Sequence, residues 1–273
     1  MEISQAQEGR IGLFASFFKG IWRDRFILWS LVNKDLQLKY RKSRLGVLWA
    51  ILMPTALSII IGGVYSIIFG SDPREFIPLI FSGLNPWLFI SGTADGATLA
   101  FINAEGYLKQ TNVNAQIFPL RVVLLNFINL LYALLAFLAV YLFLQPVKIG
   151  PIMLMTIPGL LTMFLFCWGL ANIAASINLN VRDYQMMQSL IFQGLFYATP
   201  IIFSPSMLAS RGFAIVYLLN PFYYILEMVK VPLQGEAIPH WNIYAVGIAL
   251  SVIIFCFGVY LVMRNKKGIA FKL

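Results

Sequence analysis

Few residues in this 273-residue chain have the types and spacing that chemistry requires. Asp95 is the one clear ionisable residue inside a long apolar run, and it sits in the small and polar patch SGTADGA (91–97). An acid at such a position serves a proton, a substrate hydroxyl or simply a hydrogen bond to a neighbour, and the place on a Gly-rich helix favours the last. The single histidine, His240, lies between Pro239 and Trp241 where the last apolar run begins, a setting that suits an interfacial anchor better than a general base. There is no HExxH, GxSxG or paired-carboxylate arrangement, and the acids Asp72, Glu75, Glu227 and Glu236 are too scattered to form a dyad. A phosphate-cradling loop needs a Gly-Lys step before Ser or Thr, and no Gly-Lys dipeptide occurs. Cys167 and Cys256, the only cysteines, sit inside apolar runs and are expected to pack rather than to bridge or to bind metal.

The elements that must position these residues follow from composition. The chain is 60% hydrophobic and only 11% charged, with a mean hydropathy of +0.80, whereas a soluble domain is about a quarter charged. Its apolar residues come in runs long enough to cross a hydrocarbon core of roughly 30 Å as helices. The predicted fold class is all-α integral membrane, with six spans at about 46–69, 76–102, 119–144, 152–177, 185–203 and 241–263 in one transmembrane domain (46–273). Residues 1–45 form a basic region without a cleavable signal, expected to stay cytoplasmic. With that start, 16 of the 20 Lys and Arg fall on the cytoplasmic side, Arg74, Lys148, Arg211 and Lys230 fall outside, and both termini are cytoplasmic. The net charge of +9 lacks the aromatic interleaving of a nucleic-acid surface, so anionic lipid is the expected partner of that charge.

Two further segments are too short or too charged to span. Residues 22–44 place Ile27, Leu28, Trp29, Leu31, Val32, Leu36 and Leu38 on one helical arc, with Arg23, Ser30, Lys34, Gln37 and Arg41 opposite. That pattern predicts an amphipathic helix lying in the interface, or else a plain basic anchor. Asp35 and Lys39 interrupt the arc at a spacing where they can pair. Between about 204 and 240, GFAIVYLL (212–219) and PFYYILEMVKV (221–231) are apolar but short, punctuated by Pro205, Pro221, Pro232 and Pro239. They predict short helices re-entering the membrane from the outside, or a folded outer loop. Gly92 and Gly96 make a small-xxx-small pattern that permits close helix approach.

The run LQLKYRKSRLGVLWAILMP (36–54) resembles the signature entering the first span of ATP-binding-cassette permeases that export polysaccharides, through Tyr40, Ser43, Leu45, Gly46, Trp49 and Pro54. The similarity continues through GLNPWLFI (83–90), QIFPLRVV (116–123), NVRDY (180–184), the Thr-Pro pair at 199–200 and LNPFYY (219–224), with O-antigen exporters the favoured branch. The resemblance implies a homodimer joined to two copies of a separate cytoplasmic ATPase in the inner membrane. ATP and Mg would lie on that partner, and this chain would bind no cofactor of its own. It also implies that the loop 103–116 docks on the ATPase through Ala104, Glu105, Gly106, Tyr107, Leu108 and Lys109, with Arg182 and Asp183 as a second contact. The cargo would be a lipid-linked glycan, moved through a channel whose aromatic walls pack on sugar C–H faces. The aromatic pool is Tyr65, Trp87, Phe89, Phe196, Tyr197, Phe203, Tyr223 and Tyr224. Arg41, Lys42 and Arg44 are candidates for the carrier's pyrophosphate, or for anchoring on anionic lipid. Export of teichoic acid, capsule or a smaller lipid or drug fits the same architecture. A membrane-embedded acyl- or glycosyltransferase is the alternative of another class, and would have to draw on Asp95 and His240.

Overall fold

The computed structural model describes residues 12, 15–41, 43–235, 237–265, 268 and 269, so Lys42 and Glu236 lie outside the described residues. The described residues form helices and no strands. Residues 15–23 (α1) lead into α2 (Arg25–Tyr40), α3 (Trp49–Phe69, preceded by the 3₁₀ turn Gly46–Leu48) and α4 (Pro73–Thr98). Next come α5 (Glu105–Gln110), α6 (Ile117–Leu144), α7 (Thr156–Asn178, preceded by Pro151–Met155) and α8 (Tyr184–Ala198). The short helices α9 (Pro205–Ala209) and α10 (Ala214–Leu218) precede α11 (Pro221–Leu233) and α12 (Trp241–Asn265).

Among the described residues five helices are long and apolar enough to cross a membrane: Gly46–Phe69, Pro73–Thr98, Ile117–Leu144, Pro151–Asn178 and Trp241–Asn265. This is a multi-pass membrane protein. The predicted span at 185–203 is helical only to Ala198, because Thr199 turns extended ahead of Pro200, as the residue before a proline tends to do. Fifteen residues reach only about 22 Å.

The turns between helices are written in local chemistry. Gly70 closes α3 in the left-handed region (φ 63°). Asp72 then caps α4 by accepting from the Arg74 N–H at 2.8 Å, with Pro73 at the first helical position. At α11 the Asn220 side chain accepts from the Phe222 N–H at 3.0 Å, and its amide donates to the Thr199 hydroxyl at 2.7 Å, tying α11 to the end of α8.

Helix α4 is the hub, touching α3, α6, α7, α8 and α11. In its most apolar stretch 72% of residues are buried, against 17% for Gly46–Phe69, so α3, which packs on α4 and α6, leaves most of its surface uncovered inside the chain. The predicted close approach at Gly92 and Gly96 is made to α6, where Asn126 Nδ2 donates to the Gly92 carbonyl at 3.4 Å and Gly96 faces Val122. Helices α7 and α12 also approach at backbone distance, since a Cβ on Gly169 would lie 2.5 Å from Phe255 N and 2.6 Å from the Ile254 carbonyl carbon. No flexible side chain can yield there. Gly169→Val is expected to destabilise by at least the overpacking range of about 1–3 kcal/mol, read as a lowered unfolding temperature in detergent, while Gly63→Ala, with nothing within 4 Å, should leave it in place.

Candidate functional site

The amino-terminal helices are fastened to the segment ahead of α6. Asp24 stands at the N-cap of α2 but makes no side-chain cap bond. Its carboxylate instead accepts from the backbone N–H and the side-chain amide of Asn114, both at 2.7 Å, and from Arg23 Nε at 3.0 Å. Arg23 Nη2 donates to the Asn112 carbonyl at 2.8 Å, and Gln116 Nε2 donates to the Phe17 carbonyl at 3.2 Å. Gly20 is required by this approach, because Asn114 Cγ lies 3.0 Å from where a Cβ would sit. Asp24 is 6% exposed. Burial works to raise its pKa, but the bonds from Arg23 and Asn114 outweigh burial and hold it below the ordinary carboxylate range.

Further along α2, Asp35 binds the guanidinium of Arg121 through both oxygens, and Lys39 Nζ donates to Asn129 Oδ1 at 3.3 Å. The expected Asp35–Lys39 pair is therefore corrected: each residue joins α2 to α6, because α6 presents a fixed guanidinium and an amide to the same side of α2. The amphipathic arc is also narrower than predicted. Leu28, Leu31 and Val32 are buried and Leu36 half-buried, while Ile27, Trp29 and Leu38 are exposed.

The loop residues 104–109 hold a short helix. Ala104 is fully buried beneath α5, Leu108 packs on the core, and Tyr107, 38% exposed, keeps its ring 6.2 Å from Phe118. Gly106 and Lys109 face outward. Lys109 pairs with Glu105 at 2.6 Å, and that bond, with the charge of Arg182 adding to it, lowers the Glu105 pKa. Arg182, in the loop before α8, and Asp183, at the start of α8, are both exposed.

Between α4 and α8 lies a groove of about 480 Å³. Trp87, Ser91, Asp95, Phe196 and Tyr197 line it. Gln188 Nε2 donates to Asp95 at 3.4 Å, so the acid bridges the two helices. Trp87 is buried at the floor against Phe192 and Phe222, and Tyr197 is 73% exposed at the rim. The groove gathers three of the eight aromatics in the predicted pool. The others stand elsewhere: Phe89 against Phe127, Tyr65 stacked on Phe69, Tyr223 buried against Tyr217, Tyr224 donating to the Leu218 carbonyl, and Phe203 on a cavity of about 320 Å³ with Glu75, Tyr141 and Lys148. Arg41 and Arg44 are exposed in the α2–α3 connection. His240 is exposed and accepts from the Asn242 N–H at 3.4 Å.

A polar centre that the sequence reading missed lies under α11. Lys230, 2% exposed, donates to the carbonyls of Pro200 at 2.7 Å and Phe203 at 3.4 Å, just past the end of α8. Its charge partner is Glu227 at 3.9 Å, also buried. The available signal was an i,i+3 acid–base pair inside an otherwise apolar segment. Among the described residues no group of three His, Cys, Asp or Glu could hold a metal.

Residues 27–233 match the family described as ABC-2 type transporter. The chain is 25% identical over 235 residues to the O-antigen export system permease protein RfbA of Myxococcus xanthus, covering 86% of this chain and 90% of that protein. Two Klebsiella pneumoniae proteins of the same name are 25% and 26% identical over 192 residues, covering 70% of this chain and 73% of each. These relatives are named as transport permeases, not as enzymes.

Proposed function

The chain belongs to the ABC-2 type transporter family, which implies a partner ATPase, and from that premise we propose that it is the membrane subunit of an exporter moving lipid-linked O-antigen across the cytoplasmic membrane. The observation that carries this reading is the similarity to an O-antigen export permease over 86% of the chain. In the proposed assembly two copies of this chain join two copies of the ATPase, which holds the ATP and Mg. Helix α8 and the bent residues 199–203 together make the sixth crossing, both termini are cytoplasmic, and α9 to α11 re-enter from the outside.

ATP binding draws the ATPase subunits together and moves α5, which they grip through Tyr107, Leu108 and the charged edge Glu105, Lys109 and Arg182. The polar ties from Asp24, Arg23 and Gln116 oblige α1 and α2 to follow. The exposed α3 and the α4–α8 groove supply the seam between subunits, where Trp87, Phe196 and Tyr197 meet the glycan. An aromatic face packs on sugar C–H groups and slides along a polymer without demanding one register. Arg41 and Arg44 face the carrier's pyrophosphate at the cytoplasmic interface.

The test is ATP hydrolysis by the chain co-purified in lipid with the ATPase expressed beside it. The expected result is activity belonging to the complex, with Tyr107→Ala plus Leu108→Ala lowering export at least tenfold while each protein stays folded. If no ATPase co-purifies, the assignment of a two-component exporter fails.

A further inference from the structure

A second cleft, distinct from the α4–α8 groove, enters the subunit between α3, α4 and α6. Its outer end is closed where α3 and α4 touch: Gly62 lies over Ile77, whose Cα is 2.8 Å from a would-be Cβ, and Asn85 Nδ2 donates to the Ser58 hydroxyl at 3.2 Å. Below Ser58 the helices part. Pro54 interrupts the hydrogen-bond ladder of α3 at that level, the usual cause of a bend, and a cavity of about 650 Å³ opens beneath it.

The cleft is polarised from end to end. Its floor is buried and mostly apolar, with Phe89, Leu130 and Ala133 each 3% exposed, and its rim carries Met53 and Leu57, exposed at 61% and 41%. The end nearest α2 holds Lys39, Ser43 and Trp49. There Trp49 Nε1 donates to the Ser43 hydroxyl at 3.1 Å, and Lys39 reaches over Asn129. A tryptophan and a lysine at the mouth of an apolar slot are what the headgroup level of a bilayer favours. The volume falls in the range of small-molecule pockets.

We propose that this cleft binds one acyl chain of an anionic phospholipid from the leaflet on which α2 lies, with the phosphate held by Lys39 and the hydroxyl of Ser43. The charge complementarity sits at one end only, which orients the lipid head toward α2 and its tail toward Leu57 and Leu130. Neighbouring atoms desolvate the Lys39 ammonium and pull its pKa below the ordinary lysine value; an adjoining phosphate offsets that penalty. A bound lipid also fills the space between α3 and α6 and fixes the angle of the spanning helix with the smallest buried share. The inference concerns a resident lipid and does not depend on what cargo the protein moves.

The test is photolabelling of the full chain, with its partner ATPase, in vesicles containing either phosphatidylglycerol or phosphatidylcholine with a diazirine near the tail end. Phosphatidylglycerol is expected to label peptides containing Met53 to Leu57 and Asn126 to Ala133 above the rest of the lipid-facing surface. One lysine near an anionic surface predicts about a fivefold loss of that label in Lys39→Gln, with Lys39→Arg retaining it and phosphatidylcholine unaffected. Equal labelling by both lipids, label spread evenly over the spans, or no change in Lys39→Gln would overturn the proposal. Displacement of the phosphatidylglycerol label by substoichiometric polyprenyl phosphate would also overturn it, by assigning the cleft to the carrier.

Discussion

Replacing Lys230 by methionine is expected to lower stability by about 3–5 kcal/mol, the usual cost of leaving one member of a buried ion pair behind. Lys230 and Glu227 are both enclosed, at 2% and 5% exposure, so the abandoned carboxylate cannot turn to water. The loss is compounded because Lys230 Nζ also serves the carbonyls of Pro200 and Phe203 in the bent stretch that follows α8. Those two carbonyls lose their charged donor as well. Thermal unfolding in detergent should show a large drop for Lys230→Met and a smaller one for the double change with Glu227→Gln, since removing both charges costs less than removing one. If the single change leaves the unfolding temperature untouched, the pair is not buried as described.

Changing Asp24 to alanine is expected to separate the amino-terminal helices from the loop that carries α5. The substitution strips the acceptor from the Asn114 N–H, from the Asn114 amide and from Arg23. An orphaned buried donor costs about 1–3 kcal/mol, more where the lost partner is charged. Because these bonds lie outside the spans, the chain should still insert and still bind its ATPase, with export falling more than tenfold and ATP hydrolysis persisting. Asp24→Asn keeps one acceptor and should fall between. The depressed pKa of Asp24 means its contribution is complete above the ordinary carboxylate range and is lost only as pH falls through the lower, folded value. Acid should therefore loosen this joint in the wild type and not in Asp24→Ala.

The long helices were legible because hydropathy and length are local properties. Five predicted spans agree with the helices to within a few residues at each end, and the early end of α8 is a consequence of the Thr199-Pro200 step. What the sequence left unread are contacts between distant positions. Asp24 meets Asn114 across 90 positions, and Asp35 meets Arg121 across 86. No periodicity reports such a pairing. A hint existed at Asp35: a carboxylate breaking an apolar arc requires a partner, and the nearer lysine on the same helix was chosen over the arginine that α6 presents. The aromatic pool was scattered for a similar reason, since residue type says that a ring will be enclosed but not by which neighbours. Trp87, Phe196 and Tyr197 converge on one groove only because α4 and α8 lie side by side.

The central claim is that this chain supplies the membrane path and a separate ATPase supplies the work. The most direct measurement is ATP-dependent movement of a fluorescent lipid-linked glycan into inverted vesicles containing this chain, its ATPase, or both. The account predicts protected glycan only when both proteins and ATP are present, abolished by Tyr107→Ala plus Leu108→Ala. Movement without the ATPase, or none with the intact, hydrolysing complex, would contradict it.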